Sequence, residues 1–112
     1  MDSHHRLATV VRIIDGDTLV AQIDLGFSVS VNESLRLRDV DAPEIRGEDK
    51  EAGFRWRDYV ERRLAVGSKI LIQTFKTRTG RDVTTFSRYV ADVFYGPDFE
   101  RCLNDELRSI TE

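Results

Sequence analysis

Two apolar runs on either side of an Asp-Gly dipeptide most limit how this chain can fold. Residues 7–14 are mostly Leu, Val and Ile, and residues 18–25 alternate apolar with polar side chains. Such alternation is typical of half-buried β-strands. Asp15-Gly16 favours a tight turn between them, because glycine accepts a positive φ and aspartate can cap the turn with its side chain. The chain therefore predicts an opening β-hairpin.

Short β-like runs continue through the rest of the chain. Those at 27–31 and 35–40 form a third strand region, which ends at Pro43 because proline cannot donate to a strand ladder. Two further strands are predicted at 69–75 and 86–95, with a polar loop between them. The pattern gives five strand regions in all.

Two helices are predicted between and after these strands. Over residues 51–66 an apolar residue recurs at every fourth position, which is the spacing of one helix face. The members of this stripe are Ala52, Trp56, Val60 and Leu64. We expect Trp56 and Tyr59 to serve core and groove packing rather than to stack on bases. Gly67 stands where a helix C-cap is expected, and Asp98 is expected to cap a last helix that runs towards Arg108.

Five short strands with helices inserted between them suit an α+β fold with a five-stranded Greek-key β-barrel core. Closure of the barrel removes the exposed strand edges that an open sheet would leave. We expect two or three helices and one domain over residues 7–112. The preceding residues 1–6 are expected to be disordered or vector-derived. Cys102 is the only cysteine, so no internal disulfide can form and stability has to come from packing.

Composition narrows the class of protein. The chain has 112 residues, of which 40% are hydrophobic and 33% charged, as in a folded soluble domain. No apolar run approaches the roughly 20 residues that span a bilayer, so no membrane partner is expected. The N-terminus carries no signal-peptide pattern, which favours a cytoplasmic protein by default and leaves a mature secreted form open. A monomer is favoured.

The charges are unevenly distributed, although the net charge of −3 argues against a polyanionic partner. Residues 15–51 contain ten acidic side chains, whereas residues 69–88 contain five basic side chains and Asp82 as their only acid. An acidic segment can hold a cation while a basic segment contacts phosphates. For any one such segment, a solvated surface loop is the commoner explanation.

Two acidic clusters, Asp15-Gly16-Asp17-Thr18 and Asp41-Ala42-Pro43-Glu44, carry the candidate chemistry. Asp17 and Asp41 could converge on one hard divalent cation, because such ions prefer carboxylate and carbonyl oxygens. Glu44 could accept a proton from an attacking water. Arg36 and Arg88 could clamp phosphoryl oxygens.

Each motif also has a plainer interpretation. Asp-Gly-Asp-Thr is more often only a hairpin turn, and Asp-Ala-Pro-Glu can be the ordinary start of a helix. Arg36 can be an exposed strand residue, and Arg88 can be a partner for Asp92. It is the ordered combination of the motifs that favours a functional site.

That combination resembles the staphylococcal nuclease (thermonuclease-like) family over most of the chain. The family pattern has an Asp-Gly-Asp-Thr turn, an Arg-Leu-x-x-Val/Ile-Asp-Ala/Thr-Pro-Glu run, a helix followed by glycine, an aromatic-x-Arg strand and a late Asn-x-x-Leu helix. The matching segments are 15–18, 36–44, Gly67, 86–93 and 103–107.

The resemblance implies an OB-fold barrel that hydrolyses DNA and RNA phosphodiesters with calcium. It implies that Asp17, Asp41 and the backbone carbonyl of Ala42 hold Ca²⁺, that Glu44 is the general base, and that Arg36 and Arg88 stabilise the transition state. Together with the basic loop, the expected nucleic-acid contacts are Arg36, Lys76, Arg78, Arg81 and Arg88. No base-reading element is evident, so we expect low sequence specificity.

Two other classes of protein remain as alternatives. One is a non-catalytic OB-fold module that binds nucleic acid, since a fold can persist after catalysis is lost. Two acidic clusters beside a polyanion count against it. The other is a structural or inhibitory partner protein, which only the acidic pI favours. The sequence leaves open the choice between DNA and RNA and between endonuclease and exonuclease action.

Overall fold

The computed structural model describes residues 5–43, 50–75 and 89–110. In chain order the elements are β1 (His5–Asp15), β2 (Thr18–Gly26), β3 (Val29–Leu37), α1 (Lys50–Arg63), β4 (Lys69–Phe75), β5 (Tyr89–Tyr95), β6 (Arg101–Cys102) and α2 (Leu103–Ser109). Among these residues no helix is long and apolar enough to cross a membrane.

Five strands close into a mixed β-barrel. Their order is β3-β2-β1-β4-β5, and the ring closes because β3 also pairs in parallel with β5. The other pairings around the barrel are antiparallel, and the two-residue β6 adds to the outer edge of β5. The predicted α+β fold, an OB-like five-stranded barrel with two helices in the described residues, is confirmed.

The barrel interior is filled by alternate residues of each strand. Leu35 and Leu37 on β3 face inward beside Ile70 and Ile72 on β4, and none of the four is more than 1% exposed. Burial of each such side chain contributes roughly 1.5–3 kcal/mol to folding. The helices complete the core through Val60, Leu103 and Leu107, together with Leu64 directly after α1. Trp56 and Tyr59 pack against this core, as predicted.

The third strand differs from its prediction. Strand β3 is shorter than the predicted region 27–40, and it continues without a break through the polar residues 32–34, which are partly or fully exposed. Phe27 and Ser28 form the tip of the β2–β3 hairpin, with φ of 55° and 63°. At the other end of β3, Asp39 has a φ of 60°, and the strand stops at Leu37.

Other element boundaries also differ. Strand β1 begins at His5, inside the segment that the sequence assigned to the N-terminus. Helix α1 ends at Arg63, so Gly67 is not its C-cap; it has a φ of 90° in the turn to β4 and donates its N–H to the Val10 carbonyl. The predicted Asp98 cap is also wrong, because α2 begins at Leu103 directly after β6.

Candidate functional site

Strand pairing brings the two acidic clusters to one place. Asp17 lies between β1 and β2, and the next residue, Thr18, pairs with Arg36 on β3. The Leu37 N–H donates to the Asp17 carbonyl at 2.8 Å, which fixes the turn against the end of β3. Asp41 follows four residues after that strand ends. Two motifs far apart in the sequence therefore meet because β2 and β3 are antiparallel neighbours.

The Asp17 carboxylate is buried and hydrogen-bonded. Only 9% of the residue is exposed. Its Oδ1 accepts from the Thr18 hydroxyl at 2.9 Å, and its Oδ2 accepts from the Ala42 N–H at 3.1 Å. A buried carboxylate needs such donors, because removing it from water without them is costly. Asp17 thus ties the β1–β2 turn to the segment after β3.

Arg36 lies between the two carboxylates. Its Nη2 is 3.5 Å from Asp17 Oδ2 and 3.7 Å from Asp41 Oδ1, and it donates to the Val40 carbonyl at 3.2 Å. The Asp41 side chain is 99% exposed, whereas that of Arg36 is 42% exposed. The Arg36 guanidinium and the exposed Asp41 carboxylate therefore face solvent, and the buried Asp17 carboxylate lies beside them.

The structure therefore brings together Asp17, Arg36, Asp41 and Ala42. Five further residues of the predicted site lie outside the described residues: Glu44, Lys76, Arg78, Arg81 and Arg88. Their places in the site remain predictions from the sequence.

Gly16 is needed for a reason other than the one predicted. Its φ is not positive. Instead, a Cβ on Gly16 would lie 2.7 Å from the Trp56 Cβ and 3.0 Å from the Ala42 Cβ. Helix α1 and the segment that carries Asp41 both pack against this turn, so only glycine fits without displacement.

A second ion-pair cluster, around Asp92, lies next to the site. Arg38 donates through Nε and Nη2 to the two oxygens of Asp92, at 3.2 and 3.0 Å. This hydrogen bonding raises the pKa of the Arg38 guanidinium above its usual value. Arg108 Nη2 is 3.9 Å from the same Asp92 carboxylate. The partner that the sequence suggested for Asp92 was Arg88, which lies outside the described residues.

Helix α2 also holds the backbone next to the site. Asn104 is fully buried; it donates to the Arg38 and Ala91 carbonyls at 3.2 and 3.0 Å and accepts from the Val93 N–H at 2.9 Å. Sequence reasoning found Asn104 only as part of a motif and missed Arg108 altogether. A polar residue flanked by buried leucines on α2 was the available signal for Asn104.

The donor set of the site fits a hard divalent cation. Within residues 5–43, 50–75 and 89–110, no three His, Cys, Asp or Glu side chains are grouped so that they could hold a metal ion. Asp17 and Asp41, the two carboxylates beside Arg36, both supply oxygen ligands, and Asp41 faces solvent. Ca²⁺ accepts six to eight oxygen ligands in flexible geometry and tolerates several waters. Two carboxylates and the Ala42 carbonyl suit it better than they suit zinc, which prefers nitrogen and sulfur.

The site is an open surface rather than a closed pocket. A shallow depression of about 560 Å³ is lined by residues 36–41 and Val90. A larger cavity, of about 670 Å³, is lined mostly by exposed or partly exposed residues, which include Arg6, Glu33, Phe75 and Tyr89. That cavity contains none of the predicted site residues. The open depression is the one whose lining includes predicted site residues, Arg36 and Asp41.

No protein-family model matches this chain, and no curated protein matches it either. The function is therefore inferred from the fold, the motifs and the site.

Proposed function

We propose that this protein is a metal-dependent phosphodiesterase that cuts DNA or RNA with low sequence specificity. The observation that carries the proposal is the convergence of Asp17 and Asp41 on the Arg36 guanidinium, from the β1–β2 turn and from the segment after β3. The ordered motifs of the sequence, which resemble those of the staphylococcal nuclease family, support the same conclusion.

The two carboxylates have different tasks in this proposal. Asp17 is held by Thr18 and Ala42 and supplies a fixed anchor. Asp41 is exposed and supplies a ligand that substrate and solvent can approach. A Ca²⁺ ion held by Asp17, Asp41 and the Ala42 carbonyl would supply Lewis-acid activation and charge neutralisation at the phosphodiester.

Arg36 acts on the phosphate itself. Its planar guanidinium can donate two parallel hydrogen bonds to non-bridging oxygens, and charge on those oxygens grows towards the transition state. The Val40 carbonyl holds Nη2, which orients the guanidinium. Two further roles in the proposal come from the sequence alone. Glu44, three residues after Asp41, is the general base, and Arg88 is a second clamp on the phosphate.

The test is cleavage of plasmid DNA, single-stranded DNA and RNA with Ca²⁺, with Mg²⁺ and with excess chelator. We expect cleavage that requires a hard divalent ion, with Ca²⁺ preferred. Asp41→Asn should abolish it, whereas Asp98→Asn, at an exposed aspartate far along the chain, should leave it unchanged. Undiminished cleavage in chelator would refute the metal mechanism. Nucleic-acid binding without any cleavage would instead favour a non-catalytic binding module.

A further inference from the structure

Arg108 on α2 contacts the backbone on both sides of Asp39, just before the candidate metal ligands. We propose that Arg108 is a positioning residue, which holds a left-handed turn at Asp39 and thereby sets the places of Asp41 and Ala42. The relevance of this role to catalysis rests on the proposed function, whereas the geometry that it describes does not.

The turn at Asp39 is conformationally disfavoured. Its φ is 60°, a region that residues with a Cβ rarely adopt. A residue held in such a conformation persists only when its surroundings over-determine it. The contacts that hold it are therefore expected on the backbone that flanks Asp39.

Those contacts come from α2. Arg108 Nη2 donates to the Arg38 carbonyl at 2.6 Å, and Nε donates to the Asp39 carbonyl at 3.3 Å. The two carbonyls belong to the peptide groups before and after the Asp39 Cα, so fixing both restrains the φ and ψ between them. Asn104 adds a further donor to the Arg38 carbonyl. A planar guanidinium is suited to this task because its donors are rigidly spaced.

Arg108 is itself oriented by acidic side chains. Asp105 accepts from Nη1 at 2.8 Å, three residues earlier on the same helix, and Asp92 lies 3.9 Å from Nη2. The guanidinium is thus fixed by α2 and β5 and contacts the segment after β3.

The turn determines where the site residues lie. Directly after Asp39, the Val40 carbonyl accepts from Arg36, and Ala42 donates its N–H to Asp17. If the turn relaxed, the segment from Val40 to Ala42 would shift and the Ala42–Asp17 hydrogen bond would open. Helix α2 therefore acts on the candidate metal site without touching it.

Amide hydrogen exchange of the metal-free, full-length protein tests this directly. In Arg108→Met we expect the Ala42 amide to exchange about tenfold faster or more, the change expected for the loss of charge-assisted hydrogen bonds that hold one segment. The amides of Ala21 and Ile72, in the core strands β2 and β4, should be unchanged. Arg101→Met is the matched control, because it removes an arginine that pairs with Glu106 on the same helix but does not contact residues 38–42.

A second substitution separates positioning from general stability. Asp39→Gly relieves the conformational cost of the left-handed turn, because glycine adopts a positive φ freely. In the Arg108→Met background it should therefore restore slow exchange at Ala42 and the Ca²⁺ affinity measured by calorimetry. Equal acceleration at every amide, an unchanged Ala42, or no rescue of slow exchange at Ala42 by glycine would each overturn the proposal. The expected exchange pattern together with no binding of Ca²⁺ or Mg²⁺ by any variant would support the positioning role of Arg108 and refute the proposed metal-dependent nuclease function.

Discussion

The buried carboxylate of Asp17 accepts a hydrogen bond from the backbone amide of Ala42, which lies 25 residues further along the chain, at 3.1 Å. This bond joins the two acidic motifs, because a side chain of the first accepts from the backbone of the second. A charge that could bind metal is thus also a structural acceptor. Its two roles can be separated by comparing Asp17 with the exposed Asp41.

We expect Asp17→Ala to destabilise the metal-free protein by roughly 1–3 kcal/mol, because it leaves the buried Ala42 N–H without its acceptor. The free energy of unfolding of Asp41→Asn should be close to that of the parent, since the Asp41 side chain is almost fully exposed. Urea denaturation of both variants in chelator measures the difference. Equal stabilities for Asp17→Ala and Asp41→Asn would contradict a structural role for Asp17.

The turn glycine gives a second prediction. Gly16→Ala places a Cβ at 2.7 Å from the Trp56 Cβ, so the turn or α1 has to shift. Such overpacking typically costs about 1–3 kcal/mol. Trp56 is the only tryptophan, and its fluorescence spectrum in the folded state should therefore change as well. Gly26→Ala is the control for the Trp56 spectrum, because nothing lies within 4 Å of a Cβ built on Gly26 and the cost of the alanine comes only from the positive φ of 88°. An unchanged Trp56 spectrum in Gly16→Ala would contradict the close packing of Trp56 against Gly16.

The architecture was predictable because alternation and turn residues act locally. The strands at 69–75 and 18–25 follow directly from their apolar pattern and bounding glycines. Strand β3 was harder: its middle is polar, and its pairing with β2 keeps the backbone extended through it. The start of α2 was missed because Asp98 precedes an additional short strand pairing, which depends on β5 and not on local sequence.

The site was predictable as a set of motifs but not as a set of contacts. Asp17, Arg36 and Asp41 were named from residue type and order, and the structure brings them together. The pairing of Arg38 with Asp92 spans 54 residues, and that of Arg108 with the Arg38 carbonyl spans 70, so no local pattern reveals either. The need for Gly16 was assigned to its φ because close packing by Trp56 becomes visible only when α1 is in place.

Alkaline pH provides a third prediction, at Tyr95. Burial, and then a 2.5 Å hydrogen bond to Glu106, raise the pKa of its phenol from 10.0 to about 12. Because the folded pKa is the higher one, the folded protein keeps a proton that the unfolded chain loses. This stabilisation is complete below about pH 10 and is lost as the pH rises towards about 12.

Tyr95→Phe should therefore remove part of the loss of stability between these pH values. Urea unfolding at intervals across this alkaline range, for the parent and the variant, measures the effect. Tyr89→Phe is the control, because Tyr89 is another of the three tyrosines and is exposed. Parallel stability curves for Tyr95→Phe and the parent would contradict the prediction.

The last prediction concerns the planar fork of Arg36. Arg36→Lys retains a positive charge between Asp17 and Asp41 but cannot donate two parallel hydrogen bonds to a phosphate. If the fork acts mainly as charge develops on the phosphoryl oxygens, the loss should be about 3 kcal/mol or more, which is about a hundredfold or greater in rate. The Ca²⁺ affinity of the variant should change far less, because both carboxylates are retained. Arg12→Lys, at an exposed position on β1, serves as the control for a surface substitution. The measurements are single-turnover cleavage of a single-stranded oligonucleotide and calorimetric titration with Ca²⁺. A near-normal rate in Arg36→Lys would mean that Arg36 only balances the charge of the two aspartates. Stabilisation of the transition state would then have to come from Arg88, whose place in the site is predicted from the sequence.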